Sequence, residues 1–232
     1  MKTLKEYAHI VEQRLETLPA KLPEGEYAIG GMPWLLSESM RYSLTAGGKR
    51  LRPSMFLACA EMLGGNADEL LDFACAIEMI HTYSLIHDDL PGMDDDDYRR
   101  GRLTNHKVYG VGHAILAGDG LLNYAYECLM KNALAYPQNL MGHVRAADVI
   151  ARRAGVSGMI AGQSIDLLSE HRQPDAGRLA YIHAHKTADL LTAPLLAAGC
   201  IAGADGAQME ALSRFGACVG LAFQIDDDLL DV

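Results

Sequence analysis

A long apolar run ends in acidic residues at two places in the chain. The first reads His87-Asp88-Asp89-Leu90-Pro91-Gly92-Met93-Asp94-Asp95-Asp96-Asp97-Tyr98-Arg99-Arg100-Gly101, and the second reads Phe223-Gln224-Ile225-Asp226-Asp227-Asp228-Leu229-Leu230-Asp231. Carboxylates are rarely buried unless they are paired or bound to a metal, and two such clusters facing each other would repel strongly. Mg²⁺ ions would remove that repulsion, since each takes one or two carboxylates together with substrate phosphate oxygens. The pattern therefore predicts a site for Mg²⁺ and a diphosphate.

Helical periodicity dominates the chain outside these clusters. Apolar residues recur every three to four positions in a first helix, which Pro19 is expected to end. Further helices are predicted at 33–45, 53–63, 68–89, 105–135, 139–152, 155–170, 176–202 and 207–232, with the charged segment 91–103 as a loop. No strand hairpin, internal repeat or linker interrupts the pattern. The sequence therefore predicts one all-α domain over residues 1–232, a bundle of about ten helices around a central cavity.

Two of the predicted helices, 69–89 and 207–231, carry apolar residues on nearly every face. Helices of that kind are usually central in a globular protein. Each of them ends in one of the two aspartate clusters. We therefore expect two buried helices to bring their carboxylates to one mouth of a cavity.

Composition and charge narrow the class of function. The 232 residues carry a net charge of −10, which argues against a nucleic-acid partner because phosphate backbones bind basic surfaces. The five cysteines show no disulfide or metal spacing, as expected of free thiols in a reducing compartment. Residues 1–20 do not resemble a signal peptide, and no apolar run approaches the roughly 18 residues of a spanning helix. We expect a cytoplasmic protein that binds no nucleic acid and does not insert stably into a membrane.

The spacing within each cluster favours metal binding. Asp227 and Asp231 are four apart on a helix, about 6 Å along its axis, and near its negative end, so a compensating cation is expected. In the first cluster, Pro91-Gly92 would break the backbone after Asp88 and allow Asp94 to return to the same side. A calcium-binding loop is excluded from Asp94 onward, because its sixth-position glycine and closing glutamate are missing. A solvated acidic loop and a solvated acidic end of the chain stay open as alternatives.

Basic residues supply the opposite charge. The segment Gly47-Gly48-Lys49-Arg50-Leu51-Arg52-Pro53 places three cations on a glycine turn before a helix N-terminus, where backbone amides favour an anion. A basic surface turn would show the same pattern. Arg99-Arg100 follows the acidic run directly, which suits an anion held between metal and guanidinium. His81, Lys186 and Gln224 each have an ordinary structural interpretation: a core histidine, a solvated lysine and a backbone-bonded amide.

In this order, the motifs resemble the trans-isoprenyl diphosphate synthase family, and within it the bacterial farnesyl diphosphate synthases. The resemblance runs from about residue 30 to residue 232. It rests on the glycine turn, on Asp88-Asp89 and Asp94 with four residues between them, on Arg99-Arg100-Gly101, on Lys186-Thr187, and on Phe223-Gln224 followed by Asp227-Asp228-x-x-Asp231. Such proteins continue for several tens of residues after the second motif, so we expect the chain to lack C-terminal helices of the polyprenyl synthetase domain.

The resemblance implies a homodimeric, Mg²⁺-dependent prenyltransferase of isoprenoid biosynthesis with three ions in each active site. The implied metal ligands are Asp88, Asp94 and Asp227. The implied substrate ligands are Arg99, Lys186, Thr187 and Gln224 for the allylic diphosphate, and Lys49, Arg52, His81 and Arg100 for isopentenyl diphosphate. The implied catalytic residues are Asp88, Asp94, Arg99 and Lys186. The reaction is metal-assisted ionisation of the allylic diphosphate, attack by the isopentenyl double bond, and proton elimination.

Product length depends on how far the growing tail can run between the helices. Tyr83 lies five residues before Asp88 and is bulky enough to floor the cavity, whereas the neighbouring Ser84 is small. An aromatic residue there, with four residues inside the first motif, resembles synthases that stop at fifteen carbons. We therefore expect farnesyl diphosphate as the product, with geranyl or geranylgeranyl diphosphate as alternatives.

Two other functions compete with this interpretation. A class I terpene cyclase shares the first metal motif, but it usually has an Asn/Ser/Glu-type second motif and needs no site for isopentenyl diphosphate. An inactive partner subunit of a full-length synthase is the second competitor. Degraded aspartate motifs would indicate such a subunit, whereas the motifs here are intact.

Overall fold

The computed structural model describes residues 2–18, 33–170, 173 and 175–230, without the side chains of 227, 228 and 230. The helices are α1 (Leu4–Leu15), α2 (Trp34–Leu44), α3 (Leu51–Met62), α4 (Leu71–Asp88), α5 (Asn105–Tyr109), α6 (Val111–Ala135), α7 (Leu140–Ala154), α8 (Met159–Ser169), α9 (Ala176–Ile182), α10 (Asp189–Ala202) and α11 (Gly206–Leu230). A 3₁₀ turn, Pro137–Asn139, precedes α7, and a π-helical segment, His183–Ala188, joins α9 to α10. We call the latter the π turn.

The all-α prediction is confirmed. The expectation of no strand hairpin is wrong at one place among the described residues: β1 (Tyr98–Arg99) and β2 (Arg102–Leu103) pair antiparallel inside the predicted loop 91–103. Pro19, which was expected to end the first helix, lies outside the described residues, and α1 ends at Leu15. No helix in the described part of the chain is both long enough and apolar enough to cross a membrane.

The described residues form two compact units. Unit A comprises the described residues within 2–54 and 69–131, and unit B comprises those within 55–68 and 132–230. The boundaries between them fall within α3 and α6. The single domain expected from the sequence stays a prediction.

Helix α4 is the core of unit A. Its sequence is apolar on nearly every face, and α1 and α2 pack against it. Phe73, Ile77, Met79 and Ile80 have no exposed surface. Burying a side chain of this size contributes about 1.5–3 kcal/mol. The prediction that this helix is central is confirmed, and it ends at the first aspartate cluster.

Helix α10 is the core of unit B. Its first eleven residues, Asp189–Gly199, are all buried, and it packs mainly against α7 and α11. Gly203 ends the helix in a left-handed conformation with φ 70°, which glycine adopts without steric cost. The sequence predicted one helix over 176–202. The structure has helical backbone across that range, but widens it into the π turn at its middle.

The prediction that helix 207–231 is buried on all sides is wrong. In α11 the side chains of Phe215, Leu221 and Ile225 are 57%, 50% and 48% exposed. Gly216 and Gly220 form the contact face instead, because a methyl group at either position would lie within 2.9 Å of atoms in α10 or the π turn. Close backbone packing through glycine turns the larger apolar side chains outward. Hydrophobicity alone does not reveal which stripe makes the contact.

Candidate functional site

The acidic loop, defined as Asp88–Asp97, begins where α4 ends in unit A. The backbone N–H of Asp94 donates to the carbonyl oxygen of Asp88 at 2.9 Å, and that of Met93 donates to Leu90 at 2.8 Å. These bonds fold the backbone back on itself after Pro91-Gly92. The predicted return of Asp94 to the end of the helix is therefore confirmed for the backbone. Asp88 is partly exposed and Asp94 is exposed.

Asp89 anchors the arginine that follows the acidic loop. Its carboxylate is 4% exposed, and its Oδ1 accepts from the Nε of Arg99 at 2.6 Å. Burial raises the pKa of Asp89, and the charge of Arg99 opposes that rise. A buried carboxylate next to a guanidinium is compensated. Arg99, a predicted ligand of the allylic diphosphate, is thus held against the end of α4.

The glycine turn is shaped by Arg50. This residue has a left-handed φ of 47°, and its side chain is 1% exposed. Its guanidinium donates to Glu78 of α4 at 2.7 Å and to the carbonyl oxygen of Leu44 at 2.8 Å, and its Nε lies 3.6 Å from a carboxylate oxygen of Glu12. Positive φ costs about 1 kcal/mol for a non-glycine residue. The buried ion pair therefore stabilises the left-handed backbone conformation between Lys49 and Arg52, which is unfavourable for a non-glycine residue.

Arg100 lies against the same turn. Its guanidinium donates to the carbonyl oxygen of Gly47, and a Cβ at Gly48, where φ is 129°, would lie 2.6 Å from its central carbon. Only glycine provides both the conformation and the space there. Burial lowers the pKa of Arg100, with the charge of Arg50 adding to that effect. Adjacent arginines thus reach in two directions, Arg99 to the end of α4 and Arg100 to the glycine turn.

His81 is a neutral partner of Arg52. Its Nε2 lies 3.3 Å from the Nη1 of Arg52. Burial, followed by the charge of Arg52, places the pKa of His81 well below 6.5. An arginine can only donate, so Nε2 accepts and the ring proton of the neutral imidazole is on Nδ1. The predicted ligands His81 and Arg52 are therefore in direct contact.

The predicted chain-length residues lie one turn before the acidic loop. Tyr83 is buried, and its ring meets that of His87 edge to face at 5.8 Å. Burial raises the pKa of Tyr83 to about 12, so the phenol is neutral. The hydroxyl of Ser84 donates to the carbonyl oxygen of His81 at 2.8 Å. His87 packs on α6, where a methyl group at Gly118 would clash with its imidazole ring.

In unit B, the π turn carries the predicted substrate ligands Lys186 and Thr187. Lys186 Nζ lies 2.5 Å from Asp166 Oδ2 on α8, and Thr187 Oγ1 donates to Gln224 Oε1 on α11 at 2.7 Å. The structure therefore brings together three predicted ligands on two neighbouring elements, Lys186 and Thr187 on the π turn and Gln224 on α11. π turns are rare and often occur at functional sites.

The base of the π turn is fixed by buried charge. Asp189, at the start of α10, accepts from the Nη1 of Arg153 on α7. Its other oxygen lies 2.7 Å from the Nδ1 of His185. The carboxylate of Asp189 is only 12% exposed, so both partners compensate a charge that water barely reaches.

The second aspartate cluster is described only in part. Asp227 lies on the last turn of α11, but its side chain is outside the described part, and so is Asp231. The expectation that Asp88, Asp94 and Asp227 face one another therefore stays a prediction. Within the described residues, no three His, Cys, Asp or Glu side chains are close enough to hold a metal ion together.

The comparisons with known proteins identify the family. The sequence profile described as polyprenyl synthetase matches residues 33–232. The chain belongs to the polyprenyl synthetase family. A farnesyl diphosphate synthase of Micrococcus luteus is 48% identical over 197 residues, which are 85% of this chain and 66% of that protein. Geranylgeranyl pyrophosphate synthase 9, chloroplastic, of Arabidopsis thaliana is 47% identical over 205 residues, 86% of this chain and 56% of that protein.

The same likeness extends to a solved structure. The apo crystal structure of an FPP/GFPP synthase from Zymomonas mobilis matches with a TM-score of 0.89 and 34% sequence identity. It covers 98% of this chain and 80% of that one. Compared with the two curated relatives named above, the chain spans less than two thirds of their length, 66% and 56% respectively.

Sequence reasoning missed several residues that this polyprenyl synthetase family member uses to hold its predicted ligands. Asp89 was grouped with the cluster but not paired with Arg99, and Arg50 was counted as a third surface cation. The residues with no sequence signal of their own are Asp166 and Gly162, which approach Lys186 from α8. Glu78 is a single acid inside the apolar run of α4, and a buried charge requires a partner. That signal could have found it.

Removing Glu78 should destabilise the protein strongly. Glu78→Ala leaves the buried guanidinium of Arg50 without its main partner, and breaking a buried ion pair in this way costs about 3 kcal/mol or more. Asp148→Ala removes the acid of an exposed pair with Arg152 on α7, and should cost less than about 1 kcal/mol. The free energies of unfolding from urea titrations measure both. Equal losses would contradict the assignment of Arg50 as a buried, paired charge.

Stability should depend on pH through His81. The pKa of His81 is depressed in the folded protein, whereas the unfolded chain has the ordinary value of about 6.5. Below pH 6.5 the unfolded state therefore binds the additional proton, and the stability contributed by the neutral ring is lost as the pH falls. His81→Gln should remove this component, whose slope is at most about 1.4 kcal/mol per pH unit. Urea titrations of both proteins from pH 7.5 to 5 measure the difference, and parallel pH profiles would contradict the neutral ring.

Proposed function

We propose that the protein is a Mg²⁺-dependent prenyltransferase that condenses isopentenyl diphosphate with dimethylallyl or geranyl diphosphate to give farnesyl diphosphate. One observation carries the proposal. In unit A the adjacent Arg99 and Arg100 connect the acidic loop to the glycine turn, through Asp89 and Gly47. The carboxylates of the acidic loop, which suit a metal cation, and the basic groups of the glycine turn, which suit a diphosphate, therefore lie close together within unit A.

The donor set fits Mg²⁺ bound together with a substrate. Asp88 and Asp94 offer hard carboxylate oxygens at a loop whose backbone closes on itself. Mg²⁺ usually takes one or two carboxylates and completes its shell with water and substrate phosphates, so a preformed cage of three acids is not required. When bound, the ions would neutralise charge that develops on a departing diphosphate. Asp88, Asp94 and Asp227 would hold them.

The residues of unit A would bind the diphosphate of isopentenyl diphosphate. Arg52, Arg100 and the exposed Lys49 lie on or against the glycine turn, and guanidinium groups bind phosphate oxygens bidentately. His81 would keep the guanidinium of Arg52 in place by accepting from it, and as a neutral ring it adds no charge. Arg99, held by Asp89, would bind the allylic diphosphate.

The residues of unit B would hold the allylic substrate. Lys186 would bind its diphosphate as a point charge, and the hydroxyl of Thr187, oriented by Gln224, would add a hydrogen bond. Apolar helix faces exclude water, which protects a reactive carbocation from being quenched. The departing diphosphate is the base that we propose for the final elimination.

Product length separates two versions of the proposal. Relatives named farnesyl diphosphate synthase and geranylgeranyl pyrophosphate synthase have nearly the same identity to this chain, 48% and 47%. The buried Tyr83 favours the shorter product, because a phenol ring there would limit the depth of the cavity. A geranylgeranyl diphosphate synthase is the second candidate. A homodimer and a cytoplasmic location are further proposals that rest on the family resemblance.

A product assay tests the function. The purified chain, Mg²⁺, dimethylallyl diphosphate and labelled isopentenyl diphosphate should yield a C15 alcohol after dephosphorylation and chromatography. Chelation of the metal or Asp88→Asn should lower the rate by about 100-fold or more, because the charge on the leaving group is no longer neutralised. Asp95→Asn is the matched control in the same loop and should leave the rate within about threefold.

Two results would count against this proposal. Loss of rate in Asp95→Asn equal to that in Asp88→Asn would contradict the ligand assignment. Absence of product both from this chain and from a version extended to the length of its relatives would contradict the activity itself and favour the inactive partner subunit.

The chain-length assignment has its own test. Tyr83→Ala should shift the product from C15 toward C20 and longer, because truncating the ring opens space one helical turn from Asp88. Tyr124→Ala removes a half-buried tyrosine in the same unit that has no assigned role in product length. Chromatography of the alcohols from both variants makes the comparison. An unchanged C15 product from Tyr83→Ala would contradict the assignment of Tyr83 as the residue that limits the depth of the cavity.

A further inference from the structure

Helix α8 approaches the π turn more closely than ordinary side chains permit. A Cβ at Gly162 would lie 2.7 Å from the Cα of Lys186 and 2.8 Å from the carbonyl carbon of His185. These are backbone atoms, so they cannot rotate away as a flexible side chain would. Glycine at 162 is therefore required for this packing, and α8 is held at a fixed distance from the backbone that carries Lys186.

Asp166 lies on the same face of α8 as Gly162, because residues four apart are neighbours on a helix surface. Its Oδ2 is 2.5 Å from the Nζ of Lys186, and the side chains are 38% and 27% exposed respectively. One turn of α8 thus makes two contacts with one residue: Gly162 fixes the backbone of Lys186 and Asp166 fixes its ammonium. Asp166 also lines an open cavity of about 510 Å³, so a solute can reach Asp166.

Helix α11 repeats this arrangement for Thr187. A Cβ at Gly220 would lie 2.5 Å from the Cα of Ala188, and Gln224, four residues later, accepts from the hydroxyl of Thr187. On each side of the π turn, a glycine packs on the backbone of a predicted ligand or of the residue next to it, and a polar residue four positions later contacts the side chain of that ligand. The same spacing occurs on two different helices. This recurrence argues against the contact between Asp166 and Lys186 being a chance surface ion pair.

We propose that Asp166 is the positioning residue of Lys186. The inference rests on the proposed function, in which Lys186 binds the allylic diphosphate. An ammonium has three donors. Asp166 accepts from one of them and thereby fixes the position of the ammonium group. Without the carboxylate, a lysine on a four-carbon chain would sample many rotamers, and the binding of diphosphate would have to order it.

The test uses Asp166→Asn, which keeps the shape and removes the charge, with Asp166→Glu as the conservative rescue. Gly162→Ala is unsuitable, because it threatens folding itself. Asp148→Asn is the matched control, since Asp148 also pairs with a basic residue in unit B, on α7. Circular dichroism and thermal unfolding verify that each variant is folded. Calorimetry with Mg²⁺ and the thiolo analogue of dimethylallyl diphosphate measures the dissociation constant, and the product assay measures kcat and KM.

We expect Asp166→Asn to weaken binding of the analogue and to lower kcat/KM by about 10- to 100-fold, a usual cost of a misplaced binding group. Asp166→Glu should recover part of the loss, and Asp148→Asn should show none. The decisive comparison is a double-mutant cycle. In the background Lys186→Gln, the additional change Asp166→Asn should have no further effect, because its role is exercised through Lys186.

The outcomes separate this inference from the proposed function. If the wild-type chain binds the analogue and Asp166→Asn binds it equally well, the inference fails and the proposed function stands. If the two substitutions are additive in the cycle, Asp166 acts independently of Lys186 and the inference also fails. If neither the wild-type chain nor a version extended to the length of its relatives binds the analogue, the proposed function and the inference fall together.

Discussion

The buried ion pair of Arg50 and Glu78 is the constraint on which unit A depends. A guanidinium with 1% exposure has exchanged water for the carboxylate of Glu78 and the carbonyl oxygen of Leu44, with a second carboxylate, that of Glu12, 3.6 Å from its Nε. Removing these partners would leave a buried charge uncompensated. The strained backbone at Arg50, the left-handed glycines before it and the contact with Arg100 all follow from that anchor. The buried Arg50 therefore determines where its neighbours Lys49 and Arg52 lie on the glycine turn. Because Glu78 belongs to α4, the helix that ends in the acidic loop also fixes the basic turn.

In unit B the predicted ligands are held in place mainly by close backbone packing. There the constraint is backbone proximity, through Gly162 on α8 and Gly220 on α11, with a π turn between them whose base is fixed by Asp189. Close packing leaves a lysine and a threonine little freedom before any ligand arrives. Pre-ordering of this kind moves the entropic cost of binding into the folding of the protein. Rigid elements that present short, well-supported polar groups are the usual way to build a precise site.

The sequence predicted the helical class, the central position of α4 and the return of the backbone after Pro91-Gly92, because each depends on local patterns: apolar period, helix breakers and charge. It failed on α11, since an apolar helix with two glycines can be buried on the glycine stripe alone. It also could not find the partners of Lys186 or Arg99. Asp166 and Lys186 are 20 residues apart, and only the tertiary packing of α8 joins them. The π turn could not be predicted for the same reason. Its residues have ordinary helical character, and the wider turn depends on packing against α8 and α11.

The outward apolar stripe of α11 has a practical chemical consequence. Cys218 is exposed on that helix between Phe215 and Ile225, whereas burial raises the pKa of Cys59 and of Cys128 to about 11 and leaves little thiolate at either. A maleimide dye would therefore attach first at Cys218. Since the stripe around it is hydrophobic, an environment-sensitive fluorophore there would change its emission whenever anything covers this side of the helix. The molecule thus carries its own attachment point for watching that surface in solution.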